Sequence, residues 1–170
     1  MPVRPATPTD ARAIAEVHVS SWRTSYRGIV PEEALAQLSV EHRAETWARG
    51  LGNPDRKHPV LVVEVEDRIV GFAAFGDARD KDLAPGVVEL YAIYLLQEFQ
   101  RQGLGRALWN QVRAAAGDIA APALVLWVLE DNRPARDFYE RLGFRLDGGS
   151  KPLDFAGKTP VEVRYQLSLA

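Results

Sequence analysis

The sequence predicts an α/β domain built around a mixed β-sheet, and three observations carry that prediction. Helical periodicity runs through the N-terminal part up to Leu51, strand patterns dominate from Val60 onward, and one strand–helix–strand crossover joins Val87 to Leu129. A crossover of that kind implies parallel neighbours, whereas a hairpin implies antiparallel ones, so the sheet is mixed. The 170 residues suffice to bury a core without covalent staples, and no repeat, low-complexity stretch or linker divides them, so 1–170 reads as one domain.

Val3 to Ala6 has the pattern of a short first strand. Thr9 or Asp10 caps a helix whose apolar face is Ile14, Val17, Ser21 and Trp22. Gly28-Ile29-Val30-Pro31 breaks the chain, and Pro31 opens a short helix with Glu32 and Glu33 in its first turn. Ser39 caps the next helix, which places Val40, Ala44, Trp47 and Leu51 at helical spacing. Val60–Val65 and Ile69–Phe75 read as a hairpin turning at Glu66-Asp67-Arg68, followed by a charged loop from Asp77 to Asp82. Val87 to Leu96 is an apolar strand, and Leu104, Leu108, Val112 and Ala115 mark the inner face of the helix after it. Ala123 to Leu129 is continuously apolar, as a strand buried on both faces would be. Ala135, Phe138, Tyr139 and Leu142 face inward from another helix, which Gly143 ends. In the final strand Val161, Val163, Tyr165 and Leu167 alternate with Glu162, Arg164, Gln166 and Ser168.

Composition narrows the function. The net charge of −2 argues against a nucleic-acid binder, although a local basic patch from Arg101, Arg106, Arg133 and Arg136 is compatible with it. With no Cys there is no thiolate nucleophile and no cysteine metal site, and His18, His42 and His58 lack ligand spacing, so no metal is expected. The N-terminus has no apolar signal core and no 18-residue apolar run occurs, which makes a cytoplasmic protein without a membrane partner the expectation.

The stretch from Glu98 to Leu108 is the most informative. Gly103 and Gly105 stand at a helix start, where unpaired N–H groups, the helix dipole and flanking Arg101 and Arg106 converge on one spot. This is a phosphate cradle. A dinucleotide fingerprint would need a small residue at Leu108, and a P-loop would need Gly-Lys-Ser/Thr, so neither fits. A plain strand-to-helix turn without ligand is the alternative reading of the run alone.

Gln100-Arg101-Gln102-Gly103-Leu104-Gly105 resembles the Gln/Arg-x-x-Gly-x-Gly/Ala pyrophosphate motif of the GNAT superfamily of N-acetyltransferases. After it, Asn132-Arg133-Pro134-Ala135-Arg136-Asp137-Phe138-Tyr139, ending in Gly143-Phe144, resembles the second signature of the same superfamily. The resemblance implies a GNAT fold: a central mixed sheet of six to seven strands flanked by helices, with splayed parallel strands in the middle. It implies acetyl-CoA as co-substrate, held by the backbone of Ile93, Tyr94 and Leu95, by the turn Gln100, Arg101, Gln102, Gly103, Leu104, Gly105 and Arg106, and by Asn132 and Arg136. A bulge in the strand before the turn commonly frees N–H groups for the thioester carbonyl in such proteins.

Two residues are candidates for proton transfer. Glu89 sits in the apolar run Val87-Val88-Glu89-Leu90-Tyr91, where an unpaired carboxylate would hold its proton to higher pH and suit a general base. The alternative is that it faces solvent or pairs with an arginine. Tyr139 corresponds to the tyrosine that protonates the departing thiolate in similar enzymes, while its place on an apolar helix face also fits core packing. Asn132 reads as a helix cap and, by resemblance, as a contact to the pantetheine arm. Trp22, Tyr26 and Arg27 resemble the loop that lines the acceptor pocket, and Tyr91 shares a strand face with Glu89. His18 reads as a packed residue. The implied acceptor is an amine, in a small molecule or in a peptide or protein, attacked directly in a ternary complex. Homodimers are common in similar proteins.

Overall fold

A computed structural model describes residues 3–155 and 157–169. The chain order is β1 (Val3–Pro5), α1 (Ala11–Ser25), α2 (Glu32–Ala36), α3 (Val40–Leu51), β2 (Leu61–Val65), β3 (Arg68–Asp77), β4 (Val88–Leu95), α4 (Leu104–Asp118), β5 (Ala123–Leu129), α5 (Arg133–Arg141), β6 (Arg145–Pro152) and β7 (Val161–Ser168). Among the described residues these strands form one seven-stranded sheet in the order β1-β2-β3-β4-β5-β7-β6. Only β4 and β5 are parallel, so the sheet is mixed, as expected from the single crossover. Among the described residues, no helix is long and apolar enough to cross a membrane.

The two faces are covered by different helices. Phe72 on β3 and Tyr94 on β4 point to His18 of α1, with ring centroids 5.7 and 5.5 Å away. Leu95 points the opposite way, to Gly105 at the start of α4. Ile14, Val17, Leu108 and Val112 are fully buried, each on the inner stripe of its helix. Asp10 is the N-cap residue of α1, one of the two positions the sequence offered. Thr7 and Asp10 form a capping box around a 3-10 turn, Pro8–Asp10, and Arg4 reaches the Asp10 carboxylate at 2.8 Å. That guanidinium holds the Asp10 carboxyl down at about 2.

One strand escaped the sequence reading. β6, Arg-Leu-Asp-Gly-Gly-Ser-Lys-Pro, is exposed on nearly every residue and lies at the sheet edge, so no burial imposed an apolar alternation. Its ladder to β7 slips between Leu146 and Ser150, across the two glycines. The segment between β3 and β4 folds back over β5 and β7. Asp80 accepts from Trp127 Nε1 at 2.8 Å, and buried Arg164 of β7 binds Asp80 (3.1 Å), Asp82 (2.6 Å) and Asp147 (2.6 Å). Arg164, on the polar side of its alternating strand, is covered by this loop and is 7% exposed.

Candidate active site

β4 and β5 pair only at Val88–Leu124 and Glu89–Val125, and then diverge. The cause lies in β4 itself. Its register against β3 passes from Phe75–Leu90 to Ala74–Ala92, leaving Tyr91 as an extra residue. A bulge of this kind bends and twists its strand, so the C-terminal half of β4 turns away from β5. The separated strands open a cleft of about 720 Å³, which runs from the start of α4 to the end of α1 and the start of β7.

One end of the cleft is made of backbone. Gly103 caps α4 in the left-handed region at φ 82°, and Arg101 before it is also left-handed at φ 61°. The first backbone bond that closes α4 runs from Ala107 N–H to the Gly103 carbonyl, at 3.0 Å. The amides ahead of it have no partner within the helix and carry the positive end of its dipole. A Cβ on Gly105 would lie 3.3 Å from Leu95 Cδ1 and 3.4 Å from Phe138 Cζ, so a methyl there would press on both side chains and a larger group would have to part α4 from β4 and α5. Gln100, Arg101, Gly103, Gly105 and Arg106 all line the cleft. A diphosphate suits this cradle by charge and by room.

The middle of the cleft is bounded by α5. Asn132 Oδ1 accepts from the Ala135 amide at 3.4 Å and caps the helix, and the side chain also lines the cleft. Tyr139 lines it from the next turn, with its ring against Phe138 and Phe144. Burial first, and neighbouring Tyr94 second, push the Tyr139 hydroxyl well above its ordinary value, so it keeps its proton at neutral pH. Across from it, Ile93, Tyr94 and Leu95 pair with Ala73, Phe72 and Gly71 of β3 on one edge, and their other edge borders the cleft.

The far end is aromatic. Trp22 Nε1 donates to the Tyr94 hydroxyl at 3.1 Å, and the Tyr26 ring stands edge-on to Trp22 at 4.5 Å. Behind them Trp47 Nε1 donates to His18 Nδ1 at 3.2 Å, and burial with Arg43 nearby holds that imidazole down at about 4. His18 is therefore a neutral packing residue. Tyr26, Tyr91, Trp127 and Glu162 line this end.

The sequence matches the Acetyltransferase (GNAT) family model over residues 16–144. The chain belongs to the GNAT acetyltransferase family. The uncharacterized N-acetyltransferase YuaI of Bacillus subtilis is 37% identical over 157 residues, covering 85% of this chain and 87% of YuaI. Among solved structures, yncA of Salmonella typhimurium with acetyl-CoA superposes with a TM-score of 0.72 at 24% identity, covering 100% and 94% of the two chains. The PaiA N-acetyltransferase of Thermoplasma acidophilum with coenzyme A gives 0.71 at 20% identity, covering 98% of each. Membership makes the protein an acetyl-CoA-dependent acyltransferase.

Within this GNAT protein, most of the residues singled out from sequence converge on the cleft, whereas Trp22, Glu89, Gln102, Leu104 and Arg136 lie outside its lining. Glu89 is 1% exposed and saturated by Arg79, whose Nη2, Nε and backbone N–H lie 2.7, 3.2 and 3.1 Å from its oxygens. The expectation of an unpaired carboxylate in β4 is thus corrected, because the β3–β4 loop brings a guanidinium onto it. Arg136 binds the Glu130 carbonyl and the Tyr165 hydroxyl, both at 2.9 Å, and points away from the cleft. Trp22 buttresses Tyr26 and Tyr94 rather than lining the wall. Gln102 and Leu104 offer only backbone: the Gln102 side chain donates to the Glu98 carbonyl, and Leu104 is buried. Tyr91 leans back, its hydroxyl donating to the Asp77 carbonyl and its ring lying over Gly76.

Sequence reasoning missed Trp127, Ser21 and Glu162 as cleft residues. The only sequence signal at Glu162 was its place on the polar side of the alternating last strand, which does not say what that side meets.

Proposed function

We propose that the protein moves the acetyl group of acetyl-CoA to a primary amine by direct attack in a ternary complex. The observation that supports this reading most is the joining of a backbone anion cradle to a splayed-strand cleft with a protonated tyrosine at its middle. The Gln100–Arg106 turn takes the pyrophosphate, and the free edge of β4 from Ala92 to Leu95 takes the extended pantetheine arm like an added strand. Acetyl-CoA supplies the activated acyl group. An amine entering from the aromatic end gives its ammonium proton up, in the end to water. Its nitrogen bonds to the acyl carbon, the carbon–sulfur bond breaks, and the surplus proton on nitrogen leaves to water and so returns to the tyrosinate formed in the next step. Tyr139 O–H then gives its proton to the departing thiolate. Without Cys the chain offers no thiol for an acyl-enzyme.

Calorimetric titration with acetyl-CoA, with NAD as the control, tests the reading, followed by thiol release on adding primary amines. Micromolar binding of acetyl-CoA alone and amine-dependent thiol release are the expected results. A folded sample that ignores acetyl-CoA would overturn the proposal.

A further inference from the structure

Two carboxylates lie on the sheet face that forms the acceptor end, and they differ in one respect. Glu89 accepts three hydrogen bonds from Arg79 and is closed to any ligand. Glu162 lines the cleft beside Tyr26, Tyr94 and Trp127, and among the described residues its only ion-pair contact is Lys151 Nζ at 3.9 Å. That separation is too long for a hydrogen bond. Asp137, the other acid in the lining, is held at 2.8 Å by Arg133 on the outer side of α5.

We propose that Glu162 receives the acceptor amine, and that the acceptor is a monoamine with a flat apolar body. The inference rests on the acetyltransferase reading above and names the acceptor class of the same site. A carboxylate among aromatic faces is a site for an ammonium group, bound by charge-assisted hydrogen bonds and by the rings. The groups that face Glu162 are Lys151 from β6, Arg79 from the β3–β4 loop, Glu89 from β4, Tyr26 from the end of α1 and Tyr94 from β4. Burial and Glu89 favour the protonated acid, while Lys151 and Arg79 oppose it, and the balance is upward. A carboxylate with raised affinity for a proton binds the ammonium and takes its proton before attack.

The walls select the rest of the molecule. Tyr26, Tyr91 and Trp127 line the pocket, and Trp22 and Phe155 pack behind Tyr26 with ring centroids 5.7 Å apart. The Lys151 ammonium sits 4.0 Å over Trp127 and the Arg79 guanidinium 4.6 Å over Tyr91. These two cations repel a second positive charge, so polyamines and multiply charged amino sugars are disfavoured.

The test is calorimetry on the protein saturated with coenzyme A, using phenethylamine, spermidine and 3-phenylpropanoate as probes. Phenethylamine should bind more tightly than either of the others. Its affinity should fall about tenfold or more in Glu162→Gln, as the loss of a charge-assisted bond predicts, with the Kd for acetyl-CoA unchanged. Lys151→Gln, which removes the competing cation, should tighten phenethylamine. In steady state Glu162→Gln should raise KM for the amine and erase the acidic limb of kcat/KM. Equal phenethylamine binding by wild type and Glu162→Gln would sink the proposal, as would a wild-type protein that binds coenzyme A but prefers spermidine or no amine. Failure to bind coenzyme A would instead strike the acetyltransferase reading, while the amine titrations without it would still judge Glu162.

Discussion

The two ends of the cleft are built from different materials. At the start of α4 the cleft wall is a run of backbone amides set by Gly103 and Gly105 within one short turn. At the aromatic end it is a set of side chains from α1, β4, β5 and β7: Tyr26, Tyr91, Trp127 and Glu162. A site made of main chain is fixed by local conformation and tolerates few changes in that turn but many around it. A site made of side chains from four elements depends on how those elements meet, and each residue can be exchanged singly. The first end suits a ligand shared across a family, and the second suits an acceptor that varies within it.

Several substitutions would break or sharpen this contrast. Gly105→Leu should have the largest effect, abolishing acetyl-CoA binding in calorimetry with the far-UV spectrum retained, because its side chain must push Leu95 and Phe138 apart. Retained binding would mean that the turn is not the anchor. Tyr139→Phe should lower kcat by about two to three orders of magnitude with both KM values little changed, if proton donation contributes its usual share. Unaltered turnover would leave Tyr139 a packing residue. Arg164→Leu should destabilise the fold by about 3 kcal/mol, seen as a lower urea midpoint, since it leaves Asp80 and Asp147 partly buried without their cation.

His18 gives a pH signature confined to the aromatic end. Its imidazole is held at about 4, below its ordinary value, so the unfolded chain takes up the proton first. Stability should be full above about pH 6.5 and fall by up to about 3 kcal/mol as the pH drops toward 4. Urea midpoints across that range should show the slope, and His18→Gln should flatten it. The smallest effect is expected for Arg101→Ala or Arg106→Ala, under about tenfold in acetyl-CoA affinity, since exposed charges near a helix start contribute about 1 kcal/mol or less. A much larger loss would move the anchor from backbone to side chain and erase the contrast.

The same division explains what the sequence made legible. The turn at Gly103 and Gly105 could be read because its residues are contiguous and its glycines answer to local sterics. Gly143, ending α5 at φ 100°, was readable for the same reason. The pairing of Glu89 with Arg79 was not, because it depends on where a loop ten residues away comes to rest. The settings of Glu162 and Arg164 were hidden likewise: period-two alternation puts both on the polar side of their strand, and here the β3–β4 loop covers Arg164 while the cleft opens beside Glu162. β6 left no pattern because an exposed edge strand with two glycines needs none.

The extra residue at Tyr91 has a consequence for the life of the protein as well as for its chemistry. By turning β4 away from β5 it leaves a sheet whose central ladder stops after two residue pairs. A molecule that lies along the open edge binds the folded chain and not the unfolded one, and at a hundred times its Kd it adds about 2.7 kcal/mol to stability. On the proposed reading that molecule is acetyl-CoA, and the bare protein is then the less stable form.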